Sequence, residues 1–237
     1  MHNGAREYAV AVPVLVDLSH FGHVSIVEQT ADTSLQYDCA MKLHENPVLE
    51  NDFVRLEPLA EAHHDGLCEA VKDGELWNAW FTFAPKPDAV RAEIERRLAL
   101  QRAGSMSPWT VVDPSDDRIV GMTTFMNIDA PNRHVEIGST WLAAGVQGTL
   151  INPAMKLLML ARAFDELDCI AVEFRTHWHN RRSRAAIEKL GAKLDGVLRS
   201  NQLMAGGQLR DTVVYSIIAA EWPTVQLGLE HRLGIGG

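Results

Sequence analysis

The sequence predicts a mixed α/β domain: a mostly antiparallel central sheet of six to seven strands, flanked by helices. Three observations carry this. Short segments of alternating apolar and polar residues recur along the chain and are separated by turn residues. Several of them follow one another directly, as in an antiparallel meander. Near the middle a strand, a long apolar helix and another strand come in succession, which is the pattern of a crossover within one sheet.

The elements follow in order. Val54, Leu56 and Leu59 mark a strand that leads into a helix around Leu59–Lys72. In Asp88–Gln101, Val90, Ile94 and Leu98 recur every four residues, so they share one face of a second helix. "PWTVVD" and "RIVGMTTFMNI" read as strands joined by the turn Asp113-Pro114-Ser115-Asp116-Asp117. "HVEIGSTWL" is a further strand. A turn with Gly145 and Gly148 follows, and then a helix over Asn152–Leu167, its apolar set including Leu157, Leu158, Ala161 and Phe164. "CIAVEFRTH" is the next strand. Asn180–Leu190 is a short helix with Asn180 as N-cap and Gly191 as the closing glycine. "AKLDGVLRSNQLM" and "QLRDTVVYSII" form a terminal hairpin around Ala205-Gly206-Gly207. "EWPTVQLGLEHRL" ends the pattern as a helix. Its Leu227, Leu229 and Leu233 offer a modest apolar edge, compatible with a homodimer.

Residues 1–40 read differently. They hold one basic residue, Arg6, against the acidic Glu7, Asp17, Glu28, Asp32 and Asp38. Their apolar run is short and contains Pro13, so neither a signal peptide nor a transit peptide is convincing. The working domain is expected to begin near Met41 and to occupy residues 41–237, with 1–40 as an extension.

Charge and cysteine usage narrow the function. Twenty-two basic against 31 acidic residues leave a formal net charge of −9, which argues against a general nucleic-acid binder. Cys39, Cys68 and Cys169 are odd in number and far apart. They fit neither a disulfide framework nor a zinc pattern, and they suit a reducing, cytoplasmic setting. No apolar run is long enough to cross a bilayer. No metal is expected: His177 and His179 would share a strand face, but nothing nearby supplies a third ligand at a recognised spacing.

Two stretches could carry chemistry. Glycines at a helix start let the backbone approach a ligand, and the first N–H groups of that helix have no internal partners. Gly145-Val146-Gln147-Gly148-Thr149 therefore suits an anion such as a phosphate, although an ordinary strand-to-helix turn would look the same. The second stretch clusters Arg175, Arg181, Arg182 and Arg184 in an otherwise acidic chain, a place for a further phosphate. On "HVEIGSTWL", strict alternation would put Val135, Ile137, Ser139 and Trp141 on one face and Glu136, Gly138, Thr140 and Leu142 on the other. Glu136 is then a carboxylate beside a glycine, a position suited to a general base once burial raises its pKa.

Together, "VEIGSTWL", the glycine turn with its helix, "VEFRTHWHNRRSRAAIEKLGA" and "LRDTVVYSIIAAEWP" resemble the GCN5-related N-acetyltransferases. The likeness is greatest to their RimJ/RimL-type branch, which acetylates protein N-termini or small amines, and it covers roughly Val48–Trp222. The resemblance implies acetyl-CoA as acyl donor, a primary amine as acceptor, and a V-shaped splay between two central strands. It makes Gln147, Gly148, Thr149, Leu150, Ile151 and Asn152 the diphosphate cradle and lays the pantetheine along the strand ending at Trp141-Leu142. Asn180 and Ser183 would contact the pantetheine, with Ser183 near the sulfur. Glu136 would be the base, a backbone N–H near Trp141-Leu142 would meet the oxyanion, and Trp77, Trp80 and Phe81 would border the acceptor pocket. Three departures from the pattern stand out: Leu150 and Ser139, where small and aromatic residues are frequent, and the bulky segment His177-Trp178-His179. They predict altered ligand fit rather than an altered fold.

Overall fold

The structure, a computed structural model, describes residues 45–204 and 206–235. The N-terminal extension, the expected start at Met41 and Cys39 lie outside the described residues. The strands are β1 (Leu49–Asn51), β2 (Val54–Pro58), β3 (Met106–Asp113), β4 (Arg118–Asp129), β5 (His134–Leu142), β6 (Ala171–His177), β7 (Lys193–Leu203) and β8 (Leu209–Ile218). The helices are α1 (His64–Lys72), α2 (Val90–Arg102), α3 (Ile151–Ala161), α4 (Arg181–Glu188) and α5 (Trp222–Leu233).

The eight strands form one sheet in the order β1-β2-β3-β4-β5-β6-β8-β7. The expected count of six to seven falls short by β1. That strand has three residues, too few to show alternation. It is set by its turn to β2, where Asn51 Oδ1 accepts the N–H groups of Phe53 and Val54 at 3.0 and 3.1 Å. Every neighbouring pair is antiparallel except β5 and β6.

The β5–β6 pair shapes the site. Its rungs are His134↔Ala171, Val135↔Val172 and Glu136↔Glu173. Beyond them β5 runs on to Leu142 and β6 to His177 without a rung between them, so the sheet opens into the expected V-shaped splay. α3 covers one face of the splay. Met159 Sδ receives the Thr123 hydroxyl at 3.4 Å, and Ala154, Met155, Met159 and Leu160 are fully buried. The segment between α1 and α2 covers the other face, where the Trp80 ring packs on His177 at 5.1 Å between centroids.

Two helical details differ from expectation. The apolar run expected as one helix to Leu167 is α-helical only to Ala161. It then winds as a π turn over Arg162–Glu166, in which Leu167 N–H donates to Arg162 C=O. The C-terminal apolar edge is not a surface. Leu229 and Leu233 are in the core, leaving Leu227 exposed. Among the described residues, no helix is long and apolar enough to cross a membrane.

Candidate active site

β5 does not alternate to its end. Thr124 faces Gly138 and Met122 faces Trp141, so β5 holds one more residue than β4 over this interval. The extra residue is Ser139, with φ +46°, and its carbonyl accepts a hydrogen bond from Arg97 Nη2 at 2.8 Å. Arg97 is itself buried and paired to Glu93 at 2.7 Å. The bulge exchanges the faces. Thr140 now reaches Thr123 at 2.8 Å, on the face of Ile137 and Phe125, and Leu142 lies on that face too. Trp141, opposite Met122, joins Gly138 and Glu136. The expected grouping therefore holds only as far as Gly138.

Glu136 is 5% exposed and points away from α3. Burial pushes its pKa up, while a hydrogen bond from Asn127 and the nearby Arg175 oppose the shift. Asn127 Nδ2 donates to Glu136 Oε2 at 2.6 Å, and Arg175 Nε lies 3.7 Å from the same oxygen. Arg175 is held in turn by Glu173 at 2.7 Å. These groups line an open cleft of about 430 Å3 with Asp129, Asn132 and His134. Gly138 leaves room beside them: a Cβ there would come within 2.7 Å of Glu136 Oε1 and of Met126 Sδ, and both side chains would have to shift.

At the open end of the splay lies the glycine turn. Gln147 Nε2 ties it back to Leu142 C=O at 2.6 Å, and Asp73 Oδ2 accepts the Gly145 N–H at 2.8 Å. Gln147 and Thr149 N–H groups are used within the turn, whereas those of Gly148 and Leu150 are not. Gly148 has φ +86°, and a Cβ there would meet nothing within 4 Å. Ile151 and Asn152 begin α3; Leu150 at its N-cap supplies no side-chain bond, and the Ile151 N–H donates to Thr149 Oγ1 at 3.4 Å. Leu150 is 40% exposed, so its side chain leaves the turn open. This is a loop with free donors at a helix start, and it fits a diphosphate.

Asn180 and Ser183 follow β6 at the same open end, where Asn180 Oδ1 accepts the Ser183 N–H at 3.0 Å and caps α4. The arginine cluster is less available than its sequence suggests. Arg175 belongs to the Glu136 network, and Arg184 bonds Tyr215 and stacks on Trp178, leaving Arg181 and Arg182 exposed. Trp77, Trp80 and Phe81 do not line the Glu136 cleft. Trp77 packs against the core, while Trp80, 60% exposed, stands over His177 and His179 with Phe81 at its edge. His177 is buried, and its pKa is lowered by burial and then by Arg210 and His179. Among the described residues no group of three metal-ligating side chains comes together.

Three residues packed around the splay escape a reading of the sequence: Asn127, Arg97 and Lys156, the last buried on α3 with Nζ 3.5 Å from Thr140 Oγ1. The first two depend on strand pairing and helix docking, which leave no local signal. Lys156 does leave one. It interrupts "NPAMKLLML", a helix too apolar around its circumference to offer a lysine a wet face.

A sheet that parts over a glycine-rich helix start, with a buried carboxylate on its opposite face, is an arrangement that suits a phosphate-bearing donor on one side and a second reactant on the other. The chain belongs to the GNAT acetyltransferase family, whose domain model matches residues 54–193. It is 34% identical over 107 residues to YdaF of Bacillus subtilis (strain 168), a protein named as a ribosomal N-acetyltransferase; the match covers 45% of this chain and 57%, little more than half, of that relative. The crystal structure of an acetyltransferase from T. thermophilus is 33% identical, with a TM-score of 0.70 over 80% of this chain and 98% of the other. Mycobacterium smegmatis RimJ in complex with CoA-disulfide shares the fold, with a TM-score of 0.65 at 21% identity, over 80% of this chain and 93% of that one.

Proposed function

We propose that this protein moves an acetyl group from acetyl-CoA to a primary amine, either a protein N-terminus or a small molecule. The observation that carries the reading is Glu136: a buried carboxylate with a raised pKa, lining an open cleft directly beside the point where β5 and β6 part. Its relatives named as ribosomal N-acetyltransferases favour a protein N-terminus, and such an acceptor places the reaction in the cytoplasm.

The donor lies on the open side of the splay. The turn from Gln147 to Asn152 holds its diphosphate, with the N–H groups of Gly148 and Leu150 as donors at the start of α3, and its pantetheine follows β5 toward Trp141 and Leu142, flanked by Asn180 and Ser183. The acceptor enters from the Glu136 cleft, whose Asp129, Glu136 and Glu173 suit a cationic amine. Glu136 takes a proton from the nitrogen, and Asn127 and Arg175 hold the carboxylate that does so. Backbone groups on the unpaired edge of β5 are available to the developing oxyanion. Trp80 and Phe81 stand over His177 outside that cleft, where an acceptor that extends beyond it would meet them.

The test is thermal melting with acetyl-CoA, followed by thiol release with N-terminal peptides and small amines. A donor at about 100 times its dissociation constant adds about 2.7 kcal/mol of stability. We expect a clear rise in Tm and thiol release that depends on an amine. No rise at millimolar acetyl-CoA overturns the donor assignment. Binding without amine-dependent release would leave a coenzyme-binding protein of the same fold.

A further inference from the structure

One buried ionisable group plays no part in the acceptor chemistry. Lys156 projects from α3 one turn beyond Asn152, the last residue of the cradle. Its Nζ lies 3.5 Å from Thr140 Oγ1 on β5 and 5.8 Å from the centre of the Phe174 ring on β6. The last rung between these strands is Glu136↔Glu173. The amine thus lies between the two strands beyond the last rung, near Phe174, one residue past Glu173, and Thr140, four residues past Glu136. It stands at the apex of the splay, on the face opposite Glu136.

Among the described residues, its surroundings hold no counter-charge. Lys156 is 6% exposed, and burial is the one influence on its ionisation, lowering its pKa to about 7. No charged group of β5, β6, α3 or α5 acts on it. It faces the Thr140 hydroxyl, which is bonded to Thr123 at 2.8 Å and to Gly138 C=O at 3.3 Å, and the Phe174 ring. A lone buried ammonium is unfavourable, and an apolar side chain of similar size would pack there at less cost. An amine that readily gains and loses its proton suits a place where negative charge comes and goes.

On the acetyl-transfer reading, negative charge develops at the donor's sulfur as it leaves. We infer that Lys156 is the donor-side acid: its ammonium meets the sulfur of the coenzyme at the apex of the splay and gives it a proton as the C–S bond breaks. The nitrogen lone pair of the acceptor forms the new C–N bond. The C–S electron pair goes to sulfur, and the proton from Nζ completes the coenzyme A thiol. The nitrogen's surplus proton goes to Glu136. Glu136 then loses a proton to water and Lys156 regains one, which restores both. Ser183, the hydroxyl that the family resemblance places near the sulfur, is a far weaker acid than an ammonium and remains a contact to the pantetheine.

The experiment follows ionisation of the bound coenzyme A thiol by the ultraviolet absorbance of its thiolate across pH, in the wild type and in Lys156→Met. A neighbouring ammonium lowers a thiol pKa. We expect the acidity of the thiol to rise at least tenfold on binding to the wild type and to stay near that of free coenzyme A in Lys156→Met. Methionine keeps the volume and is apolar, so the variant should fold. Lys156→Gln, which donates a hydrogen bond without ionising, serves as a second probe and should behave like Lys156→Met. Steady-state rates should show kcat reduced with the KM for acetyl-CoA little changed. Equal thiol acidity in wild type and variants overturns the inference, including the case in which the variants only melt earlier. Failure of the wild type to bind coenzyme A at all would instead overturn the acetyl-transfer reading, and the inference with it.

Discussion

Each face of the splay buries an ionisable group beside the two parting strands, Glu136 on one and Lys156 on the other, and the two are treated in opposite ways. On the cleft side Glu136 sits in a network: Asn127 donates to it, Arg175 lies beside it, and Glu173 steadies Arg175. On the α3 side Lys156 has a hydroxyl and an aromatic ring. Burial drives both toward neutrality, raising the acid and lowering the amine. The networked group is fixed in place and its shift is restrained by its partners. The solitary group is governed by whatever occupies the splay next to it. The difference teaches that burial supplies the shift, while the partners decide whether the group is held ready or left responsive.

The largest test removes the base. Glu136→Gln keeps the hydrogen-bonding shape and should lower kcat by about 100- to 10,000-fold, with coenzyme A affinity unchanged by calorimetry. Unchanged kcat would move the proton-accepting role off this face. Next comes the space beside it. Gly138→Ala would force a methyl against Glu136 Oε1 and Met126 Sδ, both flexible ends, so we expect a loss of about 1–3 kcal/mol in denaturant unfolding.

The network itself is tested by pH. Since burial raises the Glu136 pKa, the rise of kcat/KM with pH should centre above the ordinary glutamate value of about 4.3. Asn127→Ala removes a bond that favours the carboxylate, so it should move that rise to higher pH still. A shift to lower pH would mean that Asn127 does not hold the ionised form.

For Lys156 the sign is reversed. Its folded pKa of about 7 lies below the unfolded value of about 10.4, so between those values the unfolded chain binds more protons. Wild-type stability from this group therefore rises with pH across that window. Lys156→Met should be more stable than the wild type below pH 7, and the advantage should shrink toward pH 10, as read by urea unfolding at several pH values. The smallest expected effect is at the open end. Asn180→Ala loses the cap on α4 and should cost about 1 kcal/mol.

Much of this architecture is legible in the chain. "HVEIGSTWL" reads as a strand with the bounds that β5 has, and the glycine turn falls at the start of α3, because periodicity and glycine are local signals. Glu136 stands out as a carboxylate on a strand beside a glycine. What cannot be read depends on partners far along the chain. The bulge at Ser139 exists only through the register of β4 against β5, so strict alternation reverses the faces of Thr140, Trp141 and Leu142. Asn127 reaches Glu136 across the same pairing, and Arg97 reaches Ser139 from a docked helix. β1 is too short to carry a pattern of its own.

The three rungs between β5 and β6 have a mechanical consequence. They are the whole ladder joining the sheet's two leaves, β1 to β5 on one side and β6, β8 and β7 on the other. Such a seam is the least cross-linked line through the sheet, and both candidate proton carriers stand at its tip. A slight tilt of one leaf against the other would alter the spacing of carboxylate and amine together, so the width of the reaction space is set by how firmly three pairs of residues stay stitched.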